Sequence, residues 1–396
     1  MTAAVHRPSR RELIGAGAAF AAAAVVPRGW AIGQARPVKV GLLLPYSGGY
    51  ASLGENITAA IEVLLAEKGG RLGGREIEIV KADDESRAET AARSAERLIK
   101  NDKIDVLIGS VQPAAQAGIH RVVGQTRTLT IVPGAGTDAL TRGECARNVF
   151  RTSFSNWQPA YGMGRAAAEK GYRKAVWMTW DYEAGRESGV GFKQAFVEAG
   201  GEMLPDLTLP FPQTNFEPLL AQIPGLGADV VAAYFAGGGA VVFVKAYAAA
   251  GIAVPLCGPG FLTEGTLRAQ GAAAEGMETA LHYGDGLDLP KNIEFRRAFR
   301  DKADRNADLY AVQGYDAAQL LATALDAVGG NMEDEEGLYR ALRSARIESP
   351  RGTITMSPSQ NVVQNIYLRK VESGQNKVAG IAAEALADPG TGCKLE

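Results

Sequence analysis

The sequence predicts an α/β protein built as two doubly wound parallel-sheet lobes joined by a hinge that the chain crosses several times. Short apolar runs alternate with amphipathic segments along most of its 396 residues, which is how a parallel sheet covered by helices on both faces reads. The series starts afresh after an extended link at 148–155, so two sheets are expected. About 360 residues beyond a short leader also exceed what a single hydrophobic core organises.

Val38–Leu44 is the first buried strand, and 55–67 carries apolar residues at helical spacing. A strand at 77–82, a helix at 89–100 and a strand at Val106–Ile108 follow. The alternation continues through strands at 128–132, 175–179, 229–234 and 277–283. Helical segments within 295–326 need a surface to cover, which returns the chain to the first lobe, and a further crossing falls near 360–368. The expected division is a leader at 1–35, a first lobe of 36–154 plus 284–362, a second lobe of 155–283 plus 363–380, and a tail at 381–396. Ligands of open parallel sheets sit beyond the carboxyl ends of the strands, so two such lobes facing one another line a shared cleft.

Ser9-Arg10-Arg11-Glu12-Leu13-Ile14 sets paired arginines before an uncharged run of about 14 residues, short of the roughly 20 that a membrane-spanning helix needs. It reads as a twin-arginine export signal, with small residues at Ala31, Gly33 and Ala35 suited to cleavage. No cysteine stands there, so an exported chain without a lipid anchor is expected. Lys plus Arg total 42 against 44 for Asp plus Glu, which leaves no basic footprint for nucleic acid. Of three cysteines, Cys257 lies in an apolar stretch, whereas Cys145 and Cys393 are flanked by turn formers and form the expected disulfide. With no CxxC and only His120 and His282 beyond the leader, neither a metal nor a cofactor is expected.

Several segments occur together in order: Gly41-Leu42-Leu43-Leu44-Pro45-Tyr46-Ser47-Gly48, Asp83-Asp84-Glu85, Val106-Leu107-Ile108-Gly109-Ser110 and Val132-Pro133-Gly134-Ala135-Gly136-Thr137. Phe150-Arg151-Thr152, Asp181-Tyr182-Glu183-Ala184-Gly185, Gly314-Tyr315-Asp316-Ala317 and Arg351-Gly352 follow. Across essentially the whole mature chain they resemble the type I periplasmic binding proteins, in the class named for leucine, isoleucine and valine binding. The resemblance implies a periplasmic receptor, monomeric, that closes on a small ligand and delivers it to an ABC permease and its ATPase. A sensor that reports closure to another partner uses the same chemistry.

Amino-acid receptors of this class hold the ligand carboxylate with a serine in the loop after the third strand. Here that loop is Ser110-Val111-Gln112-Pro113-Ala114, and the serine position falls on Gln112 or Pro113. The threonine of the next loop falls on Gly136, beside Ala135 and Thr137. Ser110, the Thr137 hydroxyl and loop amides at a helix N-terminus remain as candidate anion donors. The acid that pairs with an α-ammonium follows a Gly-Pro dipeptide in those receptors, and here Gly258-Pro259 is followed by Gly260. A buried ammonium without a partner costs several kcal/mol, so an α-amino acid binds poorly unless Asp181 or Glu264 substitutes. Tyr50, Leu53, Trp157, Tyr182, Tyr234, Phe235, Phe261 and Tyr283 fall at or after strand ends and supply an apolar, aromatic wall. The expected ligand is therefore a small carboxylate with an apolar or aromatic body, as in the members of the class that bind aromatic acids; a branched-chain or other amino acid is the alternative.

Competing readings attach to several of these residues. Trp157 either walls the cleft or packs the hinge, while Arg151, Tyr315 and Asp316 read first as structural. An enzyme is not expected: Gly134-Ala135-Gly136 lacks the third glycine of a dinucleotide turn, and no P-loop or G-x-S-x-G elbow occurs.

Overall fold

The computed structural model describes residues 1–2, 36–284 and 286–395, so the expected export signal lies almost wholly outside the described residues. The first sheet takes β1 (Val38–Leu44), β2 (Arg71–Leu72), β3 (Arg75–Asp83), β4 (Val106–Ile108), β5 (Leu129–Val132) and β6 (Val149–Arg151). Its order is β2-β3-β1-β4-β5-β6, parallel except for the β2–β3 hairpin. The intervening helices are α1 (Ala51–Glu67), α2 (Ala88–Lys100) and α3 (Pro113–Thr126). The buried residues of β1, β4 and β5 are almost all Val, Leu and Ile, as a strand covered on both faces requires.

The second series runs α4 (Trp157–Glu169), β7 (Lys174–Asp181), α5 (Glu183–Glu198), β8 (Glu202–Met203), β9 (Leu207–Pro210), α6 (Glu217–Leu220) and α7 (Ile223–Leu226). It continues through β10 (Val230–Tyr234), α8 (Gly237–Ala249), β11 (Leu256–Pro259), α9 (Leu267–Gln270) and β12 (Glu278–Leu281). Strands β7, β10, β11 and β12 pair in parallel. The chain then returns: α10 (Pro290–Ala303) and α11 (Leu309–Ala327) pack on α1, with α12 (Glu335–Arg343) beside α11.

Four antiparallel strands close the chain: β13 (Arg346–Ser349), β14 (Gly352–Met356), β15 (Val362–Glu372) and β16 (Gln375–Leu386). They extend the second sheet to the order β13-β14-β15-β12-β11-β10-β7-β8, with β16 on β15 and β9 on β7. Two expectations change here. The β13–β14 hairpin, assigned by sequence to the first lobe, is continuous with the second sheet through β15, although Ile347 and Ile354 still join the large core that includes α11. The segment 381–386, expected as tail, is the end of β16, where buried Ala382 and Ala383 give too little hydrophobic contrast to read as a strand.

Asn361, at the foot of β15, bridges to Arg151 of β6, so this strand leaves the first sheet and enters the second. Buried arginines tie the crossings together. The Arg351 guanidinium donates from Nε to Asp316 Oδ2 at 2.7 Å and also reaches the Thr152 and Ser153 carbonyls and Gln364 Oε1. Arg151 donates to Asn361 Oδ1 at 2.7 Å, the Thr137 carbonyl and Thr141 Oγ1. Tyr315 donates to Glu67 at 2.6 Å and packs on Phe295. These residues hold the hinge and the first lobe, and their polar atoms are committed to protein partners.

Candidate functional site

The loops that follow the carboxyl ends of β1, β4 and β5 and of β7, β10, β11 and β12 carry the candidate residues, as expected for parallel sheets of this kind. In the first lobe Ser110 is fully buried and spends its groups internally. Its hydroxyl donates to Asp84, its N–H donates to Gln116 Oε1, and its carbonyl accepts from the Ala135 N–H at 3.1 Å. The expectation of Ser110 as an anion donor is therefore corrected: its proton fixes the loop. Gln112 is similarly occupied, capping α3 by accepting from the Ala115 N–H at 2.9 Å, with Pro113 in the first turn of α3. Val111 and Ala135 are buried in core, and Leu53 packs half-buried against it.

Thr137 differs. Its Oγ1 is buried and has no hydrogen-bond partner among the described residues, whereas its carbonyl is taken by Arg151. A buried hydroxyl without a partner is costly unless a ligand supplies one. Gly136 beside it has no room for a side chain, because a β-carbon there would overlap the Phe154 ring.

A row of rings runs from Phe154 across the second lobe. His282 stacks on Phe154 with centroids 5.0 Å apart, Phe154 meets Phe261 at 4.9 Å, and Phe261 meets Tyr234 at 6.0 Å. Tyr182 continues it, 6.1 Å from Tyr234 and stacked on Phe211 at 5.1 Å. Burial pushes both hydroxyls far above the ordinary tyrosine range, so both are neutral. From the first lobe, Tyr50 and Tyr310 lie close enough to Tyr234 to influence it or be influenced by it electrostatically.

Other expected wall residues are placed elsewhere. The Trp157 indole N–H donates to Gln194 Oε1 at 2.9 Å and its ring stacks on Tyr161 at 4.3 Å, so it packs the second lobe. Phe235 lies on the opposite side of its strand from Tyr234, against Phe216 and Phe243. Tyr283 is buried with its hydroxyl on Asn292 at 3.1 Å, and Asp181 is exposed and paired with Arg186 at 2.6 Å. Each of these side chains has partners within its own surroundings, which position in the sequence alone does not reveal.

Gly260 is where the charge balance is decided. A β-carbon at this residue would overlap the Arg369 guanidinium and the Leu281 side chain. Arg369, which is buried, donates to the Gly260 carbonyl at 3.0 Å and to Glu264 at 2.8 Å. Glu264 and Asp181, the two acids that sequence offered as substitutes, are thus both neutralised by arginines. Arg151, Arg351 and Arg369 are likewise engaged by protein oxygens, which leaves neutral donors for an anion.

Sequence reasoning missed Phe154, Tyr310, His282, Arg369 and Glu187. Glu187, on α5, accepts from the Asp138 N–H at 3.0 Å and from Asn156 Nδ2 at 2.7 Å. Burial first, and then the charge of Asp138, push its carboxyl up to about 7, and burial raises Asp138 to about 6 against the pull of Arg142. Cys145 and Cys393 are joined by a disulfide with Cα atoms 5.5 Å apart, and Cys257 is buried and free.

Two α/β lobes joined by a hinge of several crossings, with a row of rings among the loops beyond their strand ends, are the architecture of a receptor for a small solute. The chain belongs to the periplasmic binding protein family, whose sequence profile matches residues 37–376. It is 31% identical over 343 residues to Leu/Ile/Val-binding protein homolog 6 of Brucella melitensis, covering 84% of this chain and 87% of that one. A solute-binding protein of an ABC transporter from R. palustris, solved in complex with benzoate, is 46% identical, with a TM-score of 0.83 over 91% of this chain and 100% of that chain. A second solute-binding protein, from Rhodopseudomonas palustris BisB5 in complex with 3,4-dihydroxybenzoic acid, is 32% identical, with a TM-score of 0.81 over 89% of this chain and 99% of that one. These structures are solute-binding proteins of ABC transporters, and the protein is a receptor of that kind.

Proposed function

We propose that the solute is a small aromatic carboxylate, captured in the periplasm and passed to an ABC permease and its ATPase. The observation that carries this is the row Phe154–Phe261–Tyr234–Tyr182, with Gly136 closed against the Phe154 ring, the next residue Thr137 carrying a hydroxyl that has no partner among the described residues, and Glu264 near Gly260 held by Arg369. Flat rings bury a flat ligand, and the Thr137 and Tyr234 hydroxyls are neutral donors suited to its oxygens. The benzoate-bound relative at 46% identity supports the same ligand class. The paired arginines at Arg10 and Arg11 support delivery to the periplasm by the twin-arginine route. Capture is by closure, since contacts bridging both lobes raise the closed population by the ligand's differential affinity for that state.

Titration calorimetry with benzoate, 4-hydroxybenzoate and leucine tests the reading. Micromolar or tighter binding of one of the aromatic acids with no heat from leucine is expected; tight leucine binding with none for either acid would overturn it.

A further inference from the structure

Two fully buried polar side chains, one from each lobe, meet beside the Phe154 end of the ring row. His282 follows β12 of the second lobe, and Gln313 stands on α11, which packs on α1 of the first. Their Nε2 atoms lie 3.0 Å apart. Phe154 joins this pair to the row: it stacks on His282 at 5.0 Å and meets Phe261 at 4.9 Å. The other polar atom of each side chain, His282 Nδ1 and Gln313 Oε1, is buried and has no hydrogen-bond partner among the described residues.

What is left over has a definite chemistry. Burial first, and then Arg351 and Arg369, keep the His282 imidazole well below its ordinary 6.5, so the ring carries one proton and one lone pair. Where the Gln313 amide donates to Nε2, the proton stands on Nδ1, and the unused groups are the Nδ1–H and the Gln313 oxygen. With the amide turned over, Nε2–H donates to that oxygen, and the unused groups are the Nδ1 lone pair and the Gln313 NH2. Both arrangements leave one donor and one acceptor. A carboxylate only accepts and satisfies half of this. A hydroxyl donates and accepts, and satisfies both. The two nearby cations do not compete for it, since Arg351 is paired with Asp316 and Arg369 with Glu264.

We infer that His282 and Gln313 form a subsite for a hydroxyl group on the ligand's ring, so that the receptor selects hydroxylated aromatic acids over unsubstituted benzoate. The inference rests on the aromatic-acid reading and narrows it. Discrimination comes from the protein side: benzoate leaves a buried donor and a buried acceptor unpaired, and a ring hydroxyl pairs both.

Titration calorimetry with benzoate, 3-hydroxybenzoate and 4-hydroxybenzoate is the test. One of the two hydroxybenzoates should bind the wild type about tenfold or more tightly than benzoate. His282→Phe, which keeps a ring on Phe154, and Gln313→Leu should each cut that advantage to about twofold or less. Equal affinity for all three acids in the wild type would assign the place to a water, which has the same donor and acceptor, and would overturn the inference. A folded variant that keeps the full advantage would overturn it as well. The wild-type comparison needs no substitution, so it decides even where a variant fails to fold. If none of the three acids binds, the aromatic-acid reading fails and takes the inference with it, whereas benzoate binding without a preference removes the inference alone.

Discussion

The Arg369 guanidinium occupies the space that a side chain on Gly260 would need, so the missing acid at this position and the buried cation beside it are one feature. Restoring an acid does not restore an ammonium site, because Arg369 is already paired with Glu264 and bonded to the Gly260 carbonyl. Gly260→Asp should lower stability by about 1–3 kcal/mol through overpacking and should not create leucine binding. Thermal unfolding and calorimetry with leucine check this; a variant of undiminished stability that binds leucine would contradict it.

Asp316 and Arg351 are both without solvent exposure. Burial raises the Asp316 carboxyl above its ordinary value despite Arg351, the mark of a charge that depends on its partner. Asp316→Ala leaves a buried guanidinium and should cost about 3–5 kcal/mol in urea unfolding, of which much should return in Asp316→Ala/Arg351→Met. A double variant no more stable than the single one would show that Arg351 acts chiefly through the Thr152 and Ser153 carbonyls.

Tyr310, a first-lobe ring, lies within electrostatic reach of Tyr234 and Tyr50, and burial holds its hydroxyl well above the ordinary range. Tyr310→Ala should weaken benzoate binding by about tenfold or more, because an aromatic contact to a small ligand is worth at least that factor. Unchanged affinity in calorimetry would place the ligand on the second lobe alone.

His282 is buried against Phe154, and burial, with Arg351 and Arg369 nearby, keeps its imidazole well below the ordinary 6.5. The unfolded chain takes up that proton below 6.5 and the folded one resists it, so stability is lost as pH falls through 6.5, at up to about 1.4 kcal/mol per unit. Urea unfolding at pH 7.5 and pH 5 should show His282→Gln losing less than the wild type. Equal losses would mean that His282 is protonated in the fold.

The strand ends were legible because uninterrupted Val, Leu and Ile runs mark them, and so Tyr182, Tyr234 and Phe261 could be read as wall residues. Trp157, Phe235 and Tyr283 shared that signature but are engaged by Gln194, Phe216 and Asn292, since loop position does not fix side-chain direction. Ser110 stood in the right loop, yet its partner Asp84 lies 26 residues earlier and only the fold joins them. Phe154 lies in the extended link, Tyr310 at the start of a helix, and Glu187 in a helix whose polar pattern reads as solvated. Arg369 sits mid-strand, where alternation alone gives no sign of a buried cation. The missing acid at Gly260 was visible as an absence; what fills the space was not.

The Cys145–Cys393 bond also changes what the second lobe is as a piece of chain. Every residue of α4 to β16 lies between these cysteines, so that lobe is part of a covalent ring attached to the first lobe. A single peptide-bond cut anywhere between them leaves one molecule, because the fragments stay linked through sulfur. The lobes can turn about their crossings, but no such cut lets them drift apart.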